Sequence, residues 1–180
     1  FEPTYLSHCL DHQQRVEVRS YLFEDHKLVN PLLGGYTTAR FRLASVADAQ
    51  KLALFYDQNN EFEDTEAITN TFGSHLNYAK SLIEKKQVYI LINDNQLIGV
   101  GECWISSSQA PYADLGMITG KKQRRKGIGV YILGKLKQEC YRLGAKPICS
   151  CAVNNLPSRK TIEKAGFITR HRLLDIQFAD

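Results

Sequence analysis

The feature that most constrains this chain is one continuous unit. A β-like stretch from Ala113 to Thr119 runs into a basic, glycine-bearing turn, Gly120 to Gly129, and then into a helix-periodic run from Ile128. Ile128, Ile132, Leu136 and Cys140 recur every four residues, Leu133 and Leu143 widen the stripe, and Gly144 stops it. Strand, turn and helix in succession point to an α/β chain. A helix N-terminus carries unpaired backbone N–H groups and a partial positive charge, so it attracts anions. Glycine at 127 and 129 would remove the side chains that hold a phosphate away from those groups, and Arg124, Arg125 and Lys126 add charge-assisted donors. The unit reads as a site for a pyrophosphate or a similar doubly charged group, with a solvated basic turn capping a helix as the plainer alternative.

Other phosphate motifs fit less well. A dinucleotide fingerprint would need glycine where Ile132 stands, and no G-K-[ST] follows the spacer of a Walker loop. The charge is also local. The formal net charge is +4, and residues 121–126 supply five positive charges, so the rest of the chain is close to neutral. A nucleic-acid protein more often spreads its charge over a face, which argues against that partner. No apolar run approaches the ~18 residues of a membrane span and no signal peptide opens the chain. It begins at Phe1, which suits a fragment. Five cysteines (Cys9, Cys103, Cys140, Cys149, Cys151) lack paired spacing, which speaks against disulfides and zinc and suits a reducing cytosol. Cys149 and Cys151 would share one strand face as small buried residues. His8, His12, His26, His75 and His171 show no metal spacing, so no metal is expected.

Along the chain, residues 15–23 alternate as a strand and are followed by the breakers Asn30-Pro31 and Gly34-Gly35. This divides the chain into 1–35, an N-terminal extension or the remnant of an upstream domain, and a main domain of 36–180. In the latter, Tyr36 to Leu43 reads as a strand and Ser45 as a cap for a helix over 46–55. An acidic linker (Asp57, Glu61, Glu63, Asp64, Glu66) leads to helical sequence over 64–86, with a break near Gly73. Val88–Ile92 and Leu97–Ser106 flank Asn93-Asp94-Asn95 as a β-hairpin. Pro147 to Val153 is a strand, a helix from Ser158 closes at Gly166, and Phe167 to Phe178 supplies one or two final strands.

Arg124-x-x-Gly127-x-Gly129 between strand and helix resembles the acetyl-CoA motif of the GNAT superfamily of N-acetyltransferases. Asn155-Leu-Pro-Ser158, leading into a helix that ends in Gly166-Phe167, resembles that family's second signature. The order of elements from Tyr36 to Asp180 matches too. The resemblance implies an α/β fold with a mixed, mostly antiparallel sheet, splayed at the coenzyme site and with helices on both faces. It implies that Met117, Ile118 and Thr119 meet the pantetheine arm, their N–H groups also able to polarise the thioester carbonyl. Residues Arg124, Arg125, Lys126, Gly127, Ile128, Gly129 and Val130 would wrap the pyrophosphate, and Asn155 and Ser158 would touch the coenzyme. The implied function is direct acetyl transfer from acetyl-CoA to a primary amine, in the cytoplasm. The amine acceptor is then the expected partner, a homodimer being left open.

The chain departs from the family where a tyrosine often protonates the departing thiolate: Ile162 stands there, with Tyr112 and Tyr131 as substitutes. The expected catalytic carboxylates are Glu102 and Asp114, which could take a proton from the ammonium form of the acceptor. Glu102 lies in the apolar stretch Val100–Trp104, which could raise its pKa, or else on an exposed face. The acidic linker would suit a cationic amine, or is a solvated loop. Ile162 also keeps a second function in play, a non-catalytic acyl-CoA-binding sensor or scaffold of the same fold.

Overall fold

The computed structural model describes residues 13–29, 36, 38–59, 64–105 and 110–178, with only the backbone given for 64–67. His8, His12, Cys9, Glu61 and Glu63 lie outside the described residues. Seven strands form one sheet: β1 (Gln13–Asp25), β2 (Arg40–Leu43), β3 (Val88–Asn93), β4 (Gln96–Ile105), β5 (Tyr112–Thr119), β6 (Lys146–Ala152) and β7 (Phe167–Phe178). Their spatial order is β2-β3-β4-β5-β6-β1-β7. Every neighbouring pair is antiparallel except β5 and β6, which run parallel. The described residues form five α-helices: α1 (Ala49–Asn59), α2 (Asp64–Phe72), α3 (His75–Glu84), α4 (Ile128–Arg142) and α5 (Leu156–Lys164), with α2 packed on α3.

Local chemistry explains where most elements stop and start. Ser45 and Asp48 form a reciprocal capping box ahead of α1, and Arg42 grips the same carboxylate at 2.8 Å through both guanidinium nitrogens. Asp94 and Asn95 both have positive φ, the condition for a two-residue type I′ turn, so β3 and β4 close as a tight hairpin. Gly73, at φ +73°, ends α2, and Ser74 caps α3 through the Asn77 N–H. After α4, Gly144 N–H bonds Tyr141 O and Ala145 N–H bonds Cys140 O, a Schellman ending.

The helices bury two separate cores, one on each sheet face. Ile128, Ile132, Leu133, Leu136 and Cys140 of α4 join Ile162 and Phe167 on one face, while α1 and α3 cover the other through Leu52, Phe55, Tyr56, Tyr78 and Leu82. The α4 stripe read from the sequence holds except at Leu143, which is 48% exposed because it caps the helix past its last turn. Lys137 also faces inward, fully buried in an ion pair with Asp25, within 3.1 Å of Ala165 O and over the Phe167 ring. Cys149 and Cys151 are both buried on the α4 side.

Residues 13–25, ahead of the Asn30-Pro31 breakers, form an interior strand. β1 pairs with β6 over Ser20–Glu24 and with β7 along its length. Gly166 fastens its exit: Gly166 O accepts from the His26 and Lys27 N–H groups, and a methyl group there would sit 2.3 Å from Lys27 O.

The Arg42 guanidinium and the Ser45 N–H and hydroxyl hold the Asp48 carboxyl well below the usual carboxylate range. A depressed folded-state pKa stabilises the fold above the unfolded value of about 3.9 and loses that contribution as pH falls through the folded one. Asp48→Ala should therefore cost about 1–2 kcal/mol in urea unfolding at pH 7, with the gap from wild type narrowing below about pH 4.

Candidate active site

The site begins where β5 and β6 part. They pair only at Tyr112–Lys146, Ala113–Pro147 and Asp114–Ile148, after which β5 continues to Thr119 paired to β4 alone. Backbone groups alternate along an antiparallel pair, and Gly120 N–H reaches Ile98 O on β4 at 3.0 Å. The even-numbered residues therefore face β4, while Leu115, Met117 and Thr119 turn their N–H and C=O groups toward the gap. Met117 and Thr119 suit an extended ligand there; Ile118 pairs with Val100 on β4 instead.

Above the gap, the turn from Gly120 to Gly127 delivers the chain to the N-terminus of α4. Arg125 and Gly127 take positive φ, 64° and 79°. The first intrahelical bond shown is Tyr131 N–H to Gly127 O, which leaves the N–H groups of Ile128, Gly129 and Val130 ahead of the ladder. Arg124, Arg125 and Lys126 are exposed beside them. The two glycines prove to have different reasons. A side chain at Gly127 would meet no described atom, so this position stays open to a ligand. At Gly129 a methyl group would sit 2.9 Å from Thr161 Cγ2 and 3.2 Å from Met117 Sδ; glycine there lets α4 close on β5 and α5 rather than admitting a phosphate.

Neighbouring elements brace the turn. Asn59, the last residue of α1, accepts from Lys121 N–H at 2.8 Å through its side chain and from Arg124 at 3.3 Å through its carbonyl. Gln123 Oε1 accepts from Tyr36 and Lys126. Across the gap, Asn155 caps α5, its Oδ1 accepting from Ser158 N–H at 3.1 Å, and both residues are half-buried. Ile162 is buried in the α4-side core and offers no proton to a ligand. Tyr112 lies at the opposite end of β5, about 17 Å of strand from Met117, and Tyr131 packs on α4 with Lys135 over its ring.

The two carboxylates lie on the sheet face covered by α1 and α3. Glu102 pairs directly with Gly116, and Asp114 is two residues from Gly116 on the same face, so they are diagonal neighbours with Cα atoms about 7–8 Å apart. The surroundings of Glu102 are not the apolar ones its flanking sequence suggests. It accepts hydrogen bonds from Tyr56 at 2.5 Å, Tyr78 at 2.9 Å and Trp104 Nε1 at 3.0 Å. Tyr56 is fully buried, and burial followed by the Glu102 charge pushes its phenol well above 10, so it acts as a donor. Asp114 sits at the last β5–β6 pair; burial raises its pKa, against the Leu115 N–H bond that lowers it, and Glu102 adds to the rise. Asp57 lies across from His75, while the side chains of Asp64 and Glu66 are outside the description. Among the described residues no three His, Cys, Asp or Glu converge as metal ligands, and no helix is long and apolar enough to cross a membrane.

The site is thus a gap between two parallel strands beneath a basic helix N-terminus, with carboxylates on the adjoining face. The acetyltransferase (GNAT) family model matches residues 51–167, and the chain belongs to this family. An acetyltransferase of the GNAT family from Colwellia psychrerythraea superposes with a TM-score of 0.83 at 27% identity, over 99% of this chain and 62% of its own. A GCN5-related N-acetyltransferase from Sphaerobacter thermophilus gives 0.62 at 16% identity, over 97% of this chain and 56% of its own. This chain thus spans about three-fifths of the length of those two proteins. A Salmonella typhimurium protein assigned as an acetyltransferase, solved with its cofactor acetyl-CoA, gives 0.56 at 17% identity, over 73% of this chain and 80% of its own. No curated protein matches by sequence.

The partners of Glu102 escape sequence reading because Tyr56 and Tyr78 occupy the apolar stripes of their helices, where a tyrosine looks like core. Asn59 carried a fainter signal, a polar residue at a helix end. The two glycines should separate experimentally: Gly129→Val should cost about 1–3 kcal/mol in denaturant unfolding through overpacking, and Gly127→Ala about 1 kcal/mol, through its left-handed backbone alone.

Proposed function

We propose that this chain transfers an acetyl group from acetyl-CoA directly to a primary amine. The observation that carries the reading is the parting of β5 and β6 just past Asp114, with a cationic helix N-terminus above and carboxylates on one face. The residues suit the coenzyme: the turn at Arg124–Gly127 and the N–H groups of 128–130 would hold its pyrophosphate, and the gap-facing groups of Met117 and Thr119 its pantetheine arm. Asn155 and Ser158 stand across the gap from that arm. When bound, acetyl-CoA supplies a thioester carbonyl for the amine to attack, the N–C bond forming as the C–S bond breaks.

An acceptor arrives as ammonium and must lose a proton before its nitrogen lone pair is free. Asp114 is the base in this reading: its carboxylate lies at the mouth of the gap on the Leu115 N–H, and burial lifts its pKa toward the working range. Glu102 lies on the same face, within reach of the same cation. Ile162 cannot protonate the departing sulfur, which leaves as thiolate, tolerable for a thiol with a pKa near about 8.5, and the second proton, shed by the nitrogen as the amide forms, passes to that thiolate or to water. That same residue favours the second reading, an acyl-CoA-binding module without turnover; thiol release over a panel of amines separates the two.

Isothermal titration should show acetyl-CoA binding, and no heat at millimolar ligand would sink the proposal. Gly127→Asp should weaken that binding by about a hundredfold or more, roughly 2.8 kcal/mol, while the melting temperature moves by no more than ~2–4 °C. Wild-type kcat/KM should fall on the acid side as Asp114 takes up a proton, at a pH above the ordinary aspartate range. Asp114→Asn should lower kcat by about 10²–10⁴-fold and abolish that acidic limb. A mutant with unchanged rate and pH profile would exclude Asp114 as the base.

A further inference from the structure

Three glycines sit inside the two central strands, and among the described residues only two of them have a packing reason. A methyl group at Gly99 would lie 2.6 Å from Ile132, and one at Gly101 2.7 Å from the same residue, so both make room for α4. A methyl group at Gly116 would touch, among the described residues, only Glu102 Cβ, at an ordinary 3.7 Å. Nor does the backbone require glycine there. No positive φ occurs at Gly116, and the β4–β5 register runs without a shift from Gly99–Thr119 to Ile105–Ala113, so there is no bulge. A glycine inside a strand costs stability, and among the described residues neither packing, φ nor a bulge accounts for this one, which leaves its face open to the close approach of a ligand.

The position of Gly116 says which ligand. It follows Asp114 by two residues on the face away from α4, beside the free edge of β5, and directly opposite Glu102. Tyr56, Tyr78 and Trp104 hold Glu102 from α1, α3 and its own strand. These three donors of the described residues help to fix that carboxylate in one place, which suits an anchor for a charge better than a group that must swing with a proton. Two anionic side chains beside a missing one leave a narrow strip that welcomes a cation and repels an anion.

We infer that Gly116 is the floor of the acceptor subsite, that Glu102 is the fixed anion meeting the acceptor's ammonium, and that the acceptor is a primary amine unbranched at its amine-bearing carbon and without a neighbouring carboxylate. This rests on the acetyl-transfer reading above and narrows it. α-Amino acids are excluded twice: their carboxylate faces Glu102 and Asp114, and their branched α-carbon needs the space over Gly116. Alkyl amines, linear diamines and lysine-type side-chain amines pass both filters. Glu102 orients the ammonium while Asp114 takes its proton.

The test is thiol release at saturating acetyl-CoA with n-butylamine, cadaverine, Nα-acetyl-lysine amide and a set of free α-amino acids blocked at any side-chain amine. The unbranched amines should exceed the amino acids in kcat/KM by tenfold or more. Gly116→Ala should raise KM for the best amine by about tenfold with little change in acetyl-CoA affinity by titration or in melting temperature, since the added methyl meets no described atom closer than 3.7 Å. Glu102→Gln should raise the same KM and shrink the preference over amino acids, whereas a merely structural Glu102 would change stability and leave the preference intact. Amino acids turned over as well as the amines, or an amine KM unmoved by Gly116→Ala, would overturn this inference and leave acetyl transfer standing. Thiol release with no amine at all, despite acetyl-CoA binding, would overturn both.

Discussion

Backbone N–H and C=O groups in the middle of a sheet have to be paired, and one interior strand of this protein stops being paired on one side halfway along. β5 leaves β6 after Asp114 and keeps only β4, so the odd-numbered residues from Leu115 to Thr119 carry polar groups into a gap. Most else in the molecule is arranged around that break. At the break α4 sets its first turn close against Met117 and Thr161 through the bare backbone of Gly129. The break also aligns three things that extended ligands with a charged end require: a run of backbone groups, a cationic helix N-terminus, and access from the opposite sheet face.

Closing the rest of the sheet takes a different set of interactions. β1 fills the position between β6 and β7, and its exit is pinned by Gly166 and by the buried Lys137, which meets Asp25 and Ala165. A buried cation is costly unless its partners are complete, and Lys137 has a carboxylate, backbone carbonyls and an aromatic face. This fastener links the end of β1 to α4 and α5, the two helices whose N-termini flank the gap. Anything that loosens β1 would thus reach the gap through α4.

The two faces divide the chemistry. The α4 side is apolar and packed to the point that Gly99 and Gly101 have no room for a side chain. The α1–α3 side carries Glu102, Asp114 and the tyrosines that approach Glu102. A coenzyme reaching through from above and an acceptor arriving from the α1–α3 side would meet at β5. In that proposal one strand would serve two ligands, its edge the first and its face the second.

From the sequence alone came elements whose signal is local: the α4 stripe, the hairpin at Asp94-Asn95, the break at Gly73 and the basic turn. In each case a few adjacent residues satisfy the backbone by themselves, so the reading needs no knowledge of distant contacts. The likeness of the two signatures to the family was legible for the same reason. What distant contacts determine was not legible. The interior place of β1 depends on strands more than 120 residues away. The polar setting of Glu102 depends on how α1 and α3 dock, and its apolar neighbours in sequence pointed the wrong way because a strand sends adjacent residues to opposite faces. Gly127 and Gly129 look alike in sequence; only the packing of α5 and Met117 shows that one is open and the other closed. Gly116 is the extreme case, a residue whose meaning lies in what, among the described residues, does not touch it, and that is a property of the folded chain.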